Sequence, residues 1–88
     1  MNEFSLLQNY PNPFNPSTQI RYSLKTESDV RLSVFNIRGQ EVARLVNRRQ
    51  KSGSYSATFN AGPMSSGVYF YRLQAGDFVE TRKMLLTR

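Results

Sequence analysis

The chain has 88 residues, 39% of them hydrophobic, and its twelve Lys and Arg against six Asp and Glu give a formal net charge of +6. A chain of this length forms one small domain, which buries roughly 60 to 65% of the surface that its unfolded form exposes. It contains no cysteine and no histidine, which excludes disulfides, thiolate nucleophiles, cysteine-based metal sites and the usual general base near neutral pH. We therefore expect no enzyme, no cofactor and no metal site, but a basic module for binding or structure.

The first half of the chain contains short runs with the two-residue alternation of β-strands, and no stretch has the period of a helix. This pattern predicts a short strand at residues 4–7, a longer one at residues 18–24 and a hairpin over residues 29–47. Within the hairpin the alternation loses phase at Phe35, which predicts a β-bulge or a change of buried face. The hairpin turn ends at Gly39, where we expect a positive φ.

The second half continues the same succession of strands and turns. We predict strands at residues 54–59, 68–73 and 79–87, with Gly67 leading into the second and a tight turn at residues 75–78. About seven short strands separated by frequent turn signals favour an all-β fold, an immunoglobulin-like antiparallel β-sandwich, with a small barrel as the alternative. No internal repeat or linker divides the sequence, so we expect the whole chain to form a single domain.

The segment at residues 9–18 is the least ordinary part of the sequence, because three of its residues are prolines and three are asparagines. Proline lacks the backbone donor that a sheet interior needs, so we expect this segment to lie outside the sheets. One interpretation is a rigid lid over the core, with the rings of Tyr10 and Phe14 plugging one end of the sandwich. The other is an exposed recognition element, whose stiffness lowers the entropy lost on binding.

Basic residues concentrate in two groups. Five of them fall between residues 38 and 51, mostly in a predicted loop after the hairpin, and Arg82, Lys83 and Arg88 close the chain. Nucleic-acid binding needs aromatic rings beside the cations, whereas we expect the rings of the later strands to point inward, so we predict no nucleic-acid partner. The first group is then either a solvated, solubilising loop or a surface for an anionic partner such as lipopolysaccharide, a polysaccharide or an acidic protein patch.

Four segments, taken in order and with their spacing, carry a resemblance to a known family. They are Tyr-Pro-Asn-Pro-Phe-Asn-Pro-Ser-Thr at 10–18, Val-Phe-Asn-Ile-Arg-Gly-Gln-Glu-Val at 34–42, Ser-Gly-Val-Tyr-Phe-Tyr-Arg-Leu at 66–73 and Thr-Arg-Lys-Met-Leu-Leu at 81–86. Together they resemble the C-terminal sorting domains of type IX secretion, type A, over nearly the whole chain. The long proline–asparagine segment is also similar to related immunoglobulin-like modules of the flagellar hook-cap type.

The resemblance implies a seven-strand immunoglobulin-like sandwich, residues 1–88, at the C-terminus of a larger secreted protein that carries its cargo domain on the N-terminal side. It implies that the cargo passes through the periplasm to the cell surface or the medium, and that the outer-membrane translocon and its shuttle proteins recognise the folded domain. A sortase would then remove the domain at a junction at or before residues 1–7 and attach the cargo to anionic lipopolysaccharide. On this expectation the domain is the substrate of an enzyme and not itself an enzyme.

The resemblance also implies which residues a partner recognises. By position they are Pro11, Asn12 and Pro13, then Gly39, then Gly67 and Tyr69, and finally Lys83 with the residues after it. The sequence pattern explains the two glycines as backbone positions, one in a hairpin turn and one where a loop enters a strand. It places Lys83 on the solvent face, since Met84 and Leu86 alternate with it towards the core.

The end of the last strand is a further candidate recognition site. Arg82, Lys83 and Arg88 make it either an edge for β-augmentation or a charged handle for a partner. The alternative is that Arg82 and Lys83 only protect an edge strand from aggregation.

Two other functions stay open from the sequence. A retained cell-surface adhesion or carbohydrate-binding module would need an exposed platform of aromatic rings, for which Tyr22, Tyr55, Tyr69 and Tyr71 are the candidates. A structural immunoglobulin-like spacer would have no tight partner and would tolerate charge reversal at its C-terminus.

Overall fold

A computed structural model describes residues 3–87 and shows seven antiparallel strands and no helix in that part of the chain. Within the same residues, no helix is long and apolar enough to cross a membrane. The strands are β1 (Ser5–Leu6), β2 (Ser17–Leu24), β3 (Ser28–Phe35), β4 (Glu41–Gln50), β5 (Gly53–Asn60), β6 (Gly67–Ala75) and β7 (Phe78–Leu86). The predicted strands and both predicted hairpins are confirmed, with differences of a few residues at the strand ends.

The strands form two sheets that face each other across one core. The order is β1-β2-β5 in the three-stranded sheet and β4-β3-β6-β7 in the four-stranded sheet. Both hairpins, β3–β4 and β6–β7, lie in the four-stranded sheet, and β2 pairs with β5 over its whole length. The predicted β-sandwich is confirmed, and the alternative of a small barrel is wrong, because no strand of one sheet pairs with a strand of the other in the described chain.

The core forms from alternate residues of the strands, because successive side chains of a strand point to opposite faces of its sheet. The buried apolar side chains of the central strands are Ile20, Tyr22 and Leu24 in β2, Val30, Leu32 and Val34 in β3, and Tyr69, Tyr71, Leu73 and Ala75 in β6. Met84 and Leu86 of β7 complete this core, and Lys83, which precedes Met84, is exposed. The predicted solvent orientation of Lys83 is therefore confirmed.

The irregularity of the predicted hairpin lies in β4 and not in β3. Strand β3 stays in register with β6 up to Phe35, which faces away from the core. Strand β4 contains two extra residues, Val42 and Leu45, where the register of the β3–β4 pair shifts. Both extra residues pack on the core beside Ala43 and Val46. The predicted bulge is thus present in the hairpin, but it lies on the second strand and occurs twice.

The turn between β3 and β4 holds one apolar side chain in solvent. Gly39 has the predicted positive φ, +81°, and its N–H donates to the Asn36 carbonyl at 2.9 Å. The side-chain oxygen of Asn36 accepts hydrogen bonds from the N–H groups of Arg38 and Gln40 at 2.9 and 3.1 Å. Ile37, within this turn, is 73% exposed.

Candidate functional site

Residues 7–14, named the N-terminal segment below, pair first with β2 and then reach the outer edge of β7. The Phe14 N–H donates to the Leu85 carbonyl, and the Thr87 N–H donates to the Phe14 carbonyl, each at 2.9 Å. The side-chain oxygen of Asn12 accepts from the Leu85 N–H at 3.0 Å. An edge strand offers unpaired backbone groups to an incoming strand, and here the segment occupies those of Leu85 and Thr87. This part of the predicted β-augmentation edge is closed in the structure.

Two side chains extend the same contact. Gln8 Nε2 donates to the Lys83 carbonyl at 2.8 Å. Arg82 Nε donates to the Leu6 carbonyl at 2.6 Å, and the Arg82 guanidinium also pairs with Glu80 at 3.1 Å. Arg82 is therefore engaged in holding the beginning of the domain to its last strand, while Lys83 keeps its side chain in solvent.

The N-terminal segment has an inner and an outer side. On the inner side Phe14 is 1% exposed, and its ring meets that of Phe59 at an angle, with centroids 6.0 Å apart. Tyr10 is 75% exposed, so its predicted plugging role is wrong, because its backbone pairs with Gln19 and its ring turns outward. Residues 11–13 are also exposed. The segment is thus a lid at Phe14 that presents Pro11, Asn12 and Pro13 to solvent.

A buried network fixes the place where the chain enters the domain. The Asn9 N–H donates to the Tyr71 hydroxyl at 2.8 Å, and that hydroxyl donates to the Leu7 carbonyl at 2.7 Å. The Asn9 side chain donates to Thr18 Oγ1 at 3.0 Å and to the Pro11 carbonyl at 3.1 Å. Burial raises the pKa of Tyr71, so the hydroxyl stays protonated and keeps its proton for Leu7.

A second feature is an apolar patch on the outer face of the four-stranded sheet. This patch, named the outer apolar surface, consists of Phe35, Ile37, Val68, Phe70 and Leu85. Phe70 lies directly beside Phe35 of β3, and Val68 lies directly beside Leu85 of β7. None of the five belongs to the core cluster, and Leu85 as well as Ile37 is exposed. Contiguous apolar side chains on a solvent face are typical of an interaction site.

Ile37 separates two shallow hollows on the outer apolar surface. The first, of about 230 Å³, lies between Ile37, Phe70 and Gly39. The second, of about 150 Å³, lies between Ile37, Gly67 and Tyr69. Three residues that the family resemblance singled out, Gly39, Gly67 and Tyr69, therefore meet around one exposed isoleucine.

Tyr69 and Gly67 determine the backbone conformation of the loop beside the second hollow. The Tyr69 ring is buried, and its hydroxyl donates to the Ser65 carbonyl at 2.7 Å. Gly67 has a φ of +145°, which side chains of L-residues rarely permit. Both residues fix the loop that leads into β6, so the surface they offer a partner is the rim of a hollow and not a projecting side chain.

Two cations border the outer apolar surface. Lys83 lies directly opposite Phe70 in the β6–β7 pair, and the Arg72 guanidinium carbon lies 4.7 Å from the centre of the Phe35 ring. The ion pairs of residues 3–87 involve Arg44, Arg49 and Arg82, and neither Arg72 nor Lys83 forms one there. A cation next to apolar surface and without a carboxylate partner is free to bind an external anion.

The first basic group was predicted to lie mostly in a loop, but most of it lies along β4. Within it Arg44 pairs with Glu41 at 2.9 Å, and Arg49 pairs with Glu27 and Asp29 at 3.0 and 3.2 Å. These are exposed pairs, which contribute little to stability. They neutralise part of the group, and in residues 3–87 no cluster of carboxylates is placed to hold a metal ion.

The four tyrosines considered for an aromatic platform face the interior. Tyr22, Tyr69 and Tyr71 are buried, and Tyr55 is half-buried with its ring stacked on Tyr22 at a centroid distance of 5.4 Å. They form no exposed platform. The predicted inward orientation of the aromatic rings is confirmed for the buried ones, Phe59 included. Arg88, the last of the predicted recognition residues, lies outside the described residues.

Sequence reasoning missed Ile37, Phe70 and Arg72. The signal for Phe70 was present, since it alternates with the buried Tyr69 and Tyr71 and so had to face outward. Ile37 lies in a turn, where an apolar residue with no core to join is itself unusual. Arg72 gave no local signal, because its position over Phe35 depends on the pairing of β3 with β6.

Comparison with known proteins supplies the identification. No curated protein and no solved structure matches the chain. A family model described as the secretion system C-terminal sorting domain matches residues 8–87. The matched range contains the N-terminal segment from Gln8 onward, the outer apolar surface and strands β2 to β7. The chain therefore belongs to the C-terminal sorting domains of type IX secretion.

Proposed function

We propose that this domain directs an N-terminal cargo through the type IX outer-membrane translocon and is recognised as a folded unit. The observation that supports the proposal is the bond between Asn12 and Leu85, which are 73 residues apart. The proline–asparagine motif and the motif of the last strand form one surface only when the sandwich is folded. An unfolded chain would present them as two separate peptides.

We propose further that shuttle proteins bind the domain after transit through the periplasm and that a sortase then removes it. The junction lies ahead of Ser5, because Leu6 is buried and the Leu7 N–H donates to the Arg21 carbonyl at 2.9 Å. A protease needs an accessible, unpaired backbone, and β1, which pairs with β2, does not offer one. Attachment of the released cargo to anionic lipopolysaccharide belongs to the same proposal.

The domain itself acts in this proposal as a signal and not as an enzyme. The sequence supplies no histidine and no cysteine, and a small sandwich without them has neither the usual general base nor a thiolate. Its destination, the cell surface or the medium, follows from the sorting function of the family.

The test is export of a reporter. A periplasmic reporter protein is fused in front of residues 1–88 in a type IX-competent cell, and its fraction at the surface and in the medium is measured. We expect export, and we expect Lys83→Glu to lower the exported fraction by about tenfold through loss of one partner charge pair. Lys25→Glu makes the same change of charge at an exposed turn and should leave export unchanged. A wild-type fusion that stays in the periplasm, while an established type IX signal exports the reporter, would contradict the proposal.

A further inference from the structure

We propose that the outer apolar surface, with Arg72 and Lys83 at its border, is the docking site for an acidic polypeptide segment of the export machinery, which places an apolar side chain beside Ile37 and carboxylates against the two cations. The inference rests on the proposed function and goes beyond it, because it assigns the partner's chemistry and the face that meets it. Ile37, Phe70 and Arg72 are the residues that it adds.

The apolar part of the site has no partner within the domain. The side chains of Phe35, Val68 and Phe70 are only half-buried, although all three lie in or beside the central strands of their sheet. Ile37 extends from the β3–β4 turn and separates the hollows of about 230 and 150 Å³. A hollow of this size accepts one aliphatic or aromatic side chain, and burial of its apolar surface favours binding.

The charged part of the site determines the sign of the partner's charge. Arg72 and Lys83 have no carboxylate partner among residues 3–87. Glu41, which lies opposite Phe35 in the β3–β4 pair, is paired with Arg44 at 2.9 Å. The face therefore combines two unpaired cations with apolar surface. Charge complementarity then calls for an acidic partner.

The same geometry disfavours two other occupants. A second copy of the chain, bound about a two-fold axis, would bring Arg72 and Lys83 close to their own equivalents and repel them. A sugar ring would stack on an aromatic face, but Arg72 already lies over the Phe35 ring at 4.7 Å. An acidic polypeptide has both the carboxylates and the apolar side chain that the surface requires.

The experiment places a photo-crosslinking amino acid at residue 37 of the reporter fusion in export-competent cells, and the attached peptide is sequenced by mass spectrometry. We expect an adduct with a net acidic segment of an export-machinery protein, and we expect Arg72→Glu to lower its yield by about tenfold. Arg21→Glu carries the same change of charge on the exposed face of β2 and should leave the yield unchanged. The same probe at residue 58, an exposed position of β5 in the other sheet, should give no such adduct.

A second variant separates binding from folding. Ile37→Ser changes an exposed turn residue, so the urea midpoint should stay the same while the exported fraction falls several-fold. Thr58→Ser, at an exposed position of the other sheet, is its control. An adduct with lipopolysaccharide, with a second copy of the chain or with a basic segment would overturn the inference, as would normal export of both Ile37→Ser and Arg72→Glu. In those cases the wild-type fusion is still exported, which keeps the proposed function intact. A wild-type fusion that is not exported overturns both.

Discussion

The Tyr71 hydroxyl joins the entrance of the chain to the centre of the four-stranded sheet. It accepts from Asn9 and donates to Leu7, residues more than sixty positions away in the sequence. The ring is fully buried in β6, so water cannot replace either partner without opening the domain. A single oxygen atom thus satisfies two backbone groups of the N-terminal segment.

Tyr71→Phe should lower the free energy of unfolding by roughly 1–3 kcal/mol, because it leaves the Asn9 N–H and the Leu7 carbonyl without their partner but changes no core volume. Urea unfolding followed by circular dichroism measures the change. Tyr10→Phe removes a hydroxyl from a ring that is 75% exposed and should have no measurable effect. Equal midpoints for Tyr71→Phe and the wild type would show that the hydroxyl does not stabilise the domain.

Single residues also show what the sequence could predict about the site. The alternation of β7 correctly places Lys83 in solvent, and the same alternation puts Arg82 on the side of Met84, where it binds the Leu6 carbonyl. The inward position of Arg82 was therefore predictable from its parity. The contact of Asn12 with Leu85 was not, because no local pattern connects residues 73 positions apart.

At the scale of elements, the strands and turns follow from local sequence patterns. The two bulges follow from the apolar pattern of β4. Strand β4 contains two apolar pairs, Val42 with Ala43 and Leu45 with Val46, separated by Arg44. Regular alternation cannot bury both members of a pair, so an extra residue at each pair is the solution that the strand adopts. The placement of the N-terminal segment along β7 depended on tertiary contacts and was outside the reach of such patterns.

Asn12→Ala should loosen this edge without unfolding the domain. The Leu85 N–H loses its acceptor, a bond that contributes about 0.5–1.5 kcal/mol, so its amide hydrogen exchange should become about 2- to 13-fold faster. The amide of Met84, which pairs with Tyr69 of β6, should exchange at its former rate. Asn12→Asp keeps an oxygen acceptor and should stay close to the wild type. If Asn12→Ala protects Leu85 as well as the wild type does, the side-chain bond is not what closes the edge.

At the scale of the whole molecule, the fold gathers residues from four separated motifs onto one side. Gly39, Gly67 and Lys83 surround Ile37 and Phe70, while Leu85 connects this face to Asn12 through its backbone. Composition predicted a basic module and could not say where its charge acts. The structure separates cations that are paired inside the domain, such as Arg49 and Arg82, from Arg72 and Lys83, which form no ion pair among residues 3–87.

The bridge between Phe14 and Leu86 has a mechanical consequence, because it is parallel. When the cargo end and the C-terminal end are pulled apart, two parallel segments slide past each other, and the hydrogen bonds on both sides of Leu86 carry the load together. When force is applied through positions 39 and 66, which lie at the same end of the antiparallel β3–β6 pair, these strands separate one bond after another. Single-molecule pulling should therefore require a higher force through the chain ends than through positions 39 and 66, since forced unfolding follows the unfolding barrier along the pulling direction. A translocating cargo would then pull on the domain in the more resistant of these two directions. Equal forces in both geometries would contradict the prediction.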